Sequence, residues 1–91
     1  MFTGIIEAQA TVEDHVLQGE NLCLWLSSSL TGSFKVDQSL SHNGACLTVE
    51  AIKGGRYKVS AVLETRQKTN IDSWKVGSKV NLERAMRVGD R

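Results

Sequence analysis

The amino-acid sequence predicts an all-β domain of six short antiparallel strands. Three observations support this prediction: apolar and polar residues alternate with a period of two, glycine-containing turns recur at short intervals, and proline is absent. This spacing is typical of a closed antiparallel barrel or of a sandwich. A barrel is favoured because closure removes the two exposed edges that a small open sheet would leave.

The first half of the chain contains two predicted strands and a turn. Apolar residues occupy every second position of Ile6–Val12, which predicts a strand with one face in solvent. Leu22–Leu26 also alternates, but both of its faces are apolar, so we expect a partner or a loop to cover one of them. Ser27–Ser33 is rich in Ser, Thr and Gly and predicts a turn with one helical turn.

A hairpin is the clearest local signal. Gln38–His42 and Ala45–Ile52 are predicted strands joined by Asn43-Gly44. Asn-Gly readily supplies the two positive φ angles that a type I′ turn requires. The sequence therefore predicts that these two strands pair in register across a tight turn.

The second half of the chain continues the pattern. Lys53–Arg56 contains Gly54-Gly55 and predicts a turn into the strand Tyr57–Val62. Leu63–Asn70 lacks alternation and predicts a short helix, and Val80–Glu83 predicts the last strand. We expect one domain over residues 1–91, because the sequence contains no repeat, linker or low-complexity segment.

Composition excludes several classes of function. The net charge of +1 is too small to predict a nucleic-acid or anionic-membrane partner. No apolar run approaches the roughly 20 residues of a membrane helix, and no secretory signal is recognisable. We therefore expect a cytoplasmic protein whose two cysteines, Cys23 and Cys46, are free thiols. His15 and His42 have no zinc-type spacing, so we expect no metal site.

Two sets of residues are candidates for chemistry. Cys46 follows His42 across the tight turn, so the two side chains are candidates for a thiol–imidazole pair, although a buried packing role for the cysteine is favoured. Small hydroxyl side chains in the central strands would suit the orientation of a heterocycle in an apolar cleft. The alternative, favoured on residue type alone, is that they occupy exposed strand faces. These residues are Ser39, Thr48, Ser60 and Thr65.

Four ordered motifs give the sequence a wider resemblance that spans essentially the whole chain. They are Met1–Glu7, Lys35–Val49, Glu64-Thr65 with Thr69-Asn70, and Val76-Gly77 with Val80–Ala85. In this order the motifs resemble the N-terminal half of the riboflavin synthases. The resemblance implies a six-stranded Greek-key barrel with one or two short helical turns.

The resemblance also implies a reaction. Riboflavin synthases convert two molecules of 6,7-dimethyl-8-ribityllumazine into riboflavin and a pyrimidinedione, and they use no metal and no external cofactor. The family enzyme has two barrels, and this chain stops where the link to the second barrel would begin. We therefore expect an isolated lumazine- or riboflavin-binding domain with weak catalysis or none.

Site residues carry over from the resemblance only where the motifs match. Cys46, Ser39 and Phe2 are implied to assist catalysis. The implied substrate contacts are Gly4, Ile5, Ile6, Cys46, Leu47, Thr48, Ser60, Ala61, Val62, Leu63, Glu64 and Thr65. Ser60 departs from the pattern, because some relatives have an aspartate there, so any ribityl hydrogen bond from this side chain is expected to be neutral and weaker.

Partners and rivals follow from the same resemblance. We expect a small-molecule partner, no nucleic acid and no membrane, and a homodimer for the isolated domain, whereas the full-length family enzyme is trimeric. One rival is a non-catalytic antenna protein of the lumazine-protein type, which shares the barrel. Another is a small barrel that serves only as an interaction module.

Overall fold

The computed structural model describes residues 5–84, and it confirms an all-β, antiparallel fold. Two 3-10 turns, Thr31–Ser33 and Ile71–Ser73, and one short helix, α1 (Leu63–Lys68), lie between the strands. The strands are β1 (Ala8–Gln18), β2 (Asn21–Ser28), β3 (Ser39–His42), β4 (Ala45–Thr48), β5 (Ala51–Lys53), β6 (Arg56–Ala61) and β7 (Lys79–Arg84).

The strand count differs from the prediction by one because the predicted strand Ala45–Ile52 changes partner midway. Its first part, β4, pairs with β3, and its second part, β5, pairs with β6. At the break, the Val49 N–H donates to the Gln38 carbonyl (2.8 Å) and the Glu50 N–H donates to the Lys58 carbonyl (2.8 Å). Two adjacent residues thus bond to opposite sides.

This change of partner joins the two ends of the sheet. The strand order is β4-β3-β7-β1-β2-β6-β5, so the two outermost strands are consecutive segments of the same stretch of chain. Counted as one, they give the six strands that were predicted and connect the sheet into a ring. With β4 and β5 as one strand, the order β7, β3, β4–β5, β6 is that of a Greek key.

The interior of the ring is filled by the apolar residues of each strand. Leu22, Leu24 and Leu26 of β2 are buried with Tyr57, Val59 and Ala61 of β6. The alternation predicted the β6 set, whereas on β2 it did not distinguish the inner face, because both faces are apolar. Ala10 and Val12 complete the inner face of β1. Ile6 was predicted to belong to that face, but it does not. Strand β1 begins only at Ala8, and the Ile6 side chain is exposed.

Strand β1 is longer than predicted because a bulge resets its alternation. Val12 pairs with Leu26 and Asp14 with Trp25, so Glu13 is the extra residue. The strand then continues to Gln18, where Gly19 (φ +63°) turns the chain into β2. The predicted turn at Ser27–Ser33 also begins later, because Ser27 and Ser28 still pair with β1.

The Asn43-Gly44 turn has the predicted geometry. Both residues have positive φ angles, +50° and +89°. The Asn43 side chain also attaches the turn to β7, because its Oδ1 accepts the Asn81 N–H at 2.7 Å while its own N–H donates to the Asn81 carbonyl at 2.8 Å. The turn therefore fixes both the β3–β4 register and its place beside β7.

One polar pair lies inside the barrel. His42 Nδ1 is 3.2 Å from the Leu40 carbonyl, which can only accept, so Nδ1 carries the proton. Nε2 then accepts the Tyr57 hydroxyl at 3.0 Å. Burial lowers the pKa of His42 from 6.5 to about 4, although its bond to Leu40 opposes the shift, and burial raises the pKa of Tyr57. The imidazole is therefore neutral at physiological pH.

This buried imidazole predicts a loss of stability in mild acid. Between pH 6.5 and about 4 the imidazole of His42 is protonated in the unfolded chain but neutral in the folded chain. The free energy of unfolding therefore decreases as the pH is lowered through this range. The full difference is roughly 3 kcal/mol of unfolding free energy. Urea unfolding of the wild type and of His42→Gln, at pH 7 and at pH 4.5, measures it.

His15→Gln is the comparison variant, because His15 is the other histidine of the sequence and lies on β1 outside the core. We expect the His42→Gln variant to lose distinctly less stability in acid than the wild type. An equal acid loss in all three proteins would contradict the role assigned to His42.

Candidate functional site

The β3–β4 hairpin presents two different faces. Leu40 and Leu47 pair with each other and point into the core. Their neighbours pair on the outer face, Ser39 opposite Thr48 and Ser41 opposite Cys46. Of the predicted site residues, Cys46 and Thr48 are exposed, Ser39 is half-buried, and Leu47 contributes only from within the barrel.

The predicted encounter between Cys46 and His42 does not occur. His42 pairs with Ala45 and lies in the core, whereas Cys46 pairs with Ser41 on the opposite face. Successive strand residues point to opposite sides, and the two-residue turn fixes this register. The favoured expectation that Cys46 is buried is wrong for the same reason, since Leu47 takes the inner position. Cys46 and Cys23 are both free thiols, as predicted.

Strand β6 lies beside β4 and carries the next group of predicted residues. Ala61 is buried, and Ser60 lies on the outer side between it and the buried Val59. Beyond the strand, Val62 and Leu63 are 52% and 36% exposed. The outer side of β6 therefore changes along its length from polar at Ser60 to aliphatic at Val62.

Glu50 belongs to this surface although it was not predicted to. Its Oε1 accepts the Ser60 hydroxyl at 2.9 Å and lies 4.0 Å from the Lys58 ammonium. Ser60 is also 3.5 Å from the Cys23 thiol, which donates to Gln18 at 3.2 Å. The neutral hydroxyl at position 60 therefore lies beside a carboxylate, to which it donates a hydrogen bond.

These outward-facing side chains are contributed by two adjacent stretches of chain. Leu47 and Val49 point inward, so the residues between and after them point outward. We call this surface the β4–β6 face: Cys46, Thr48, Glu50, Lys58, Ser60 and Val62. The signal that could have identified Glu50 is its spacing, since it stands two residues after Thr48, on the same side of the chain.

The start of α1 adds the last predicted contacts. Thr65 is half-buried and its carbonyl accepts the Thr69 hydroxyl at 2.8 Å. Glu64 is exposed and lies 3.8 Å from Lys68, a pair that solvent largely screens. Arg66 holds the helix against the β1–β2 turn, because its guanidinium donates to the Glu20 carbonyl at 2.6 Å.

Ile5 and Ile6 lie where β1 is about to begin and β7 ends. Both are exposed, 69% and 57%. Glu7 fixes this end, because its carboxylate binds the Arg84 guanidinium at 2.8 Å, which lowers the pKa of Glu7. Leu40 of β3 pairs with Arg84 on the other side of β7. Exposed aliphatic side chains of this kind are a surface that a planar heterocycle can cover. The predicted residues Phe2 and Gly4 lie outside the described residues.

A separate groove lies away from the predicted residues. It is open, has a volume of about 470 Å³ and is lined by Asp14, Trp25, Lys53, Gly54 and Arg56. None of these was predicted to contact a ligand. The groove exposes charged groups of both signs around one half-buried indole. The β4–β6 face also carries two opposite charges, Glu50 and Lys58, but it adds hydroxyl groups and the exposed aliphatic side chain of Val62. The second arrangement suits an uncharged heterocycle better.

Neither a metal centre nor a membrane span was detected in residues 5–84. Within this range, no three His, Cys, Asp or Glu side chains cluster as ligands would. No helix there is both long and apolar enough to cross a membrane.

Comparison with known sequences adds independent information. A family model described as "Lumazine binding domain" matches residues 3–85. Riboflavin synthase of Bacillus subtilis (strain 168) is 37% identical over 92 residues, covering 100% of this chain and 43% of the relative. Riboflavin synthase of Saccharomyces cerevisiae (strain ATCC 204508 / S288c) is 35% identical over 94 residues, covering 94% and 40%. The chain thus spans less than half the length of these curated relatives.

Comparison with solved structures supports the fold. LumP complexed with 6,7-dimethyl-8-(1'-D-ribityl) lumazine superposes with a TM-score of 0.88 at 23% identity, over 98% of this chain and 50% of that one. LumP complexed with riboflavin gives 0.87 at 22% identity, over 98% and 51%. At this level of identity the likeness shows that the fold is shared.

Proposed function

The chain belongs to the lumazine-binding domain family, and on this basis we propose that it binds 6,7-dimethyl-8-ribityllumazine and riboflavin. The observation that carries the proposal is the β4–β6 face. Residues that the sequence resemblance implied as ligand contacts, among them Cys46, Thr48 and Ser60, lie on the outer side of adjacent segments. They supply a few polar groups beside exposed aliphatic surface, which is the usual composition of a heterocycle site.

The role proposed for each residue in ligand binding follows from the chemistry of its side chain. The ring system packs on the aliphatic surface of Val62 and Leu63, with Ile5 and Ile6 as further apolar contacts and Gly4 as a backbone contact. The hydroxyl groups of Thr48, Ser60 and Thr65 hydrogen-bond to the ligand. Leu47 and Ala61 shape the site from beneath, because both are buried. Glu64 is proposed as a contact at the start of α1.

The catalytic proposal is more limited. Because the chain spans less than half of the relatives, we propose that it supplies one half of a riboflavin synthase site. The reaction needs two lumazines held face to face, so most of its acceleration comes from positioning, which can contribute roughly 7–11 kcal/mol. Ser39 and Cys46 are the proposed assisting groups, together with Phe2. No external cofactor is required, because both reactants are lumazines.

In a dimer of this domain, the second copy would supply the other half of the site. Two copies related by a two-fold axis would bring two identical sites together and place one bound ring against the other. We propose such a homodimer, in the cytoplasm, for the isolated domain. A site formed by two identical halves aligns the rings less well than one formed by two specialised halves, so turnover is expected to be slow.

The main test is a ligand titration. Riboflavin fluorescence should be quenched on binding, and Thr48→Ala and Thr65→Ala should each weaken binding by about 0.5–1.5 kcal/mol through loss of a neutral hydrogen bond. Thr11→Ala is the matched control, since Thr11 lies on β1 and accepts a hydrogen bond from Lys79 (2.7 Å). Unchanged affinity in both site variants, or no binding by the wild type at tens of micromolar, would contradict the proposed site.

A non-catalytic antenna-type protein is the second candidate, favoured by the similarity to LumP. Turnover separates the two. For the synthase-type domain we expect slow riboflavin formation from lumazine, with a kcat well below roughly 1 s⁻¹, the lower end of the range typical of enzymes. The rate per chain should rise with chain concentration as dimers form. Complete absence of product at all concentrations would favour the antenna protein. Rapid turnover independent of concentration would exclude the need for a second copy.

A further inference from the structure

Glu50 has a position on the β4–β6 face that no sequence motif assigned to it. Its backbone lies at the change of partner between β4 and β5, with Val49 buried on the inner side. The side chain is 45% exposed, so one part of the carboxylate contacts the protein while the rest faces solvent. Thr48, the last residue of β4, precedes it by two positions on the same side of the chain.

The carboxylate is oriented and partly free. Oε1 accepts the Ser60 hydroxyl at 2.9 Å, which fixes the direction of the side chain. The Lys58 ammonium lies 4.0 Å from the same oxygen, at the limit of an ion pair. Among residues 5–84, no group hydrogen-bonds to Oε2. A carboxylate oxygen can accept more than one hydrogen bond, so the group retains capacity for a ligand hydroxyl.

The surface around Glu50 is divided into a polar end and an aliphatic end. Along the outer side of β6 and just beyond its end the order is Lys58, Ser60 and then the exposed Val62, with about 6.6 Å between one of these residues and the next. A ribityl-bearing heterocycle has the same division, because a flat ring system is joined to a chain of hydroxyl groups. With the ring on Val62 and Leu63, the hydroxyl chain extends towards Ser60 and Glu50.

We propose that Glu50 is a specificity-determining residue that accepts hydrogen bonds from the polyol chain of the ligand and discriminates against the same chain ended by a phosphate. This inference rests on the proposed function. Hydrogen bonds from hydroxyl groups to a carboxylate are charge-assisted and about twice as strong as those to a neutral acceptor. The same negative charge repels a phosphate dianion and, by its proximity to Lys58, reduces the attraction that this cation would exert.

Glu50→Gln is the direct test, because glutamine is isosteric and keeps an oxygen that can accept the Ser60 hydroxyl. Three ligands are titrated by fluorescence: riboflavin, riboflavin 5′-phosphate, and lumiflavin, which has the same ring with a methyl group instead of the polyol chain. We expect the variant to bind riboflavin about threefold to tenfold more weakly. Lumiflavin binding should not change, and the preference for riboflavin over its phosphate should decrease or reverse.

Glu13→Gln is a closely matched control. Glu13 also accepts a serine hydroxyl, that of Ser27 at 2.6 Å, and also has a cation nearby, Arg56 at 3.7 Å. It stands outside the predicted site, and its cation is two residues before Lys58 on β6. We expect Glu13→Gln to leave all three affinities as in the wild type. In the Glu50→Gln background, Lys58→Met should remove the gain in phosphate affinity.

The outcomes separate this inference from the proposed function. Absence of riboflavin binding by the wild type would overturn both. Binding by the wild type with unchanged riboflavin and phosphate affinities in Glu50→Gln would overturn only the role of Glu50. An equal loss for lumiflavin and riboflavin would place the carboxylate at the ring instead of the polyol chain, and would likewise overturn the proposal.

Discussion

The exchange of partners at Val49 and Glu50 is the constraint on which the rest of the structure depends. One residue bonds to the β3 side and the next to the β6 side, which joins the two ends of the sheet. Without this step β4 and β5 would be unprotected edges, each too short to be stable alone. The exchange also brings β4 next to β6. The proposed ligand surface therefore results directly from the way in which the barrel closes.

Two polar pairs, His42–Tyr57 inside the barrel and Glu50–Ser60 on its outer surface, have different roles. Inside, His42 and Tyr57 satisfy each other where no water can reach, so the imidazole must stay neutral. Outside, Glu50 and Ser60 are partly open to solvent, and the carboxylate has spare capacity as a hydrogen-bond acceptor. Burial thus makes the first pair a packing element, whereas exposure makes the second available to a ligand.

The period-two alternation was sufficient to predict most of the fold. It identified the inner faces of β6 and β7, and the Asn43-Gly44 turn fixed the β3–β4 register, because both are local properties of the chain. It did not identify the inner face of β2, because both faces of that strand are apolar. The bulge at Glu13 was missed, since an extra residue in one strand is defined only by its partner strand. The break at Val49–Glu50 was missed because the alternation runs through it without interruption.

The site was less predictable than the fold, for a related reason. Motifs selected residues on β4 and β6 that the structure places on one surface, but they gave no information on side-chain contacts. The sequence suggested that Cys46 and His42 are close because they flank the same turn. This was wrong because their side chains point to opposite faces of the hairpin. Glu50 was not selected because its contact with Ser60 joins residues that are ten positions apart and belong to different strands.

The most direct test of the account is a map of backbone amide chemical shifts by NMR as riboflavin is added to the isotope-labelled chain. If the ligand occupies the β4–β6 face, the largest shifts will fall on residues 46–50 and 58–65. The amides of the groove lined by Asp14, Trp25 and Arg56 will change little. Shifts concentrated in that groove, with residues 46–50 and 58–65 unperturbed, would contradict the central claim.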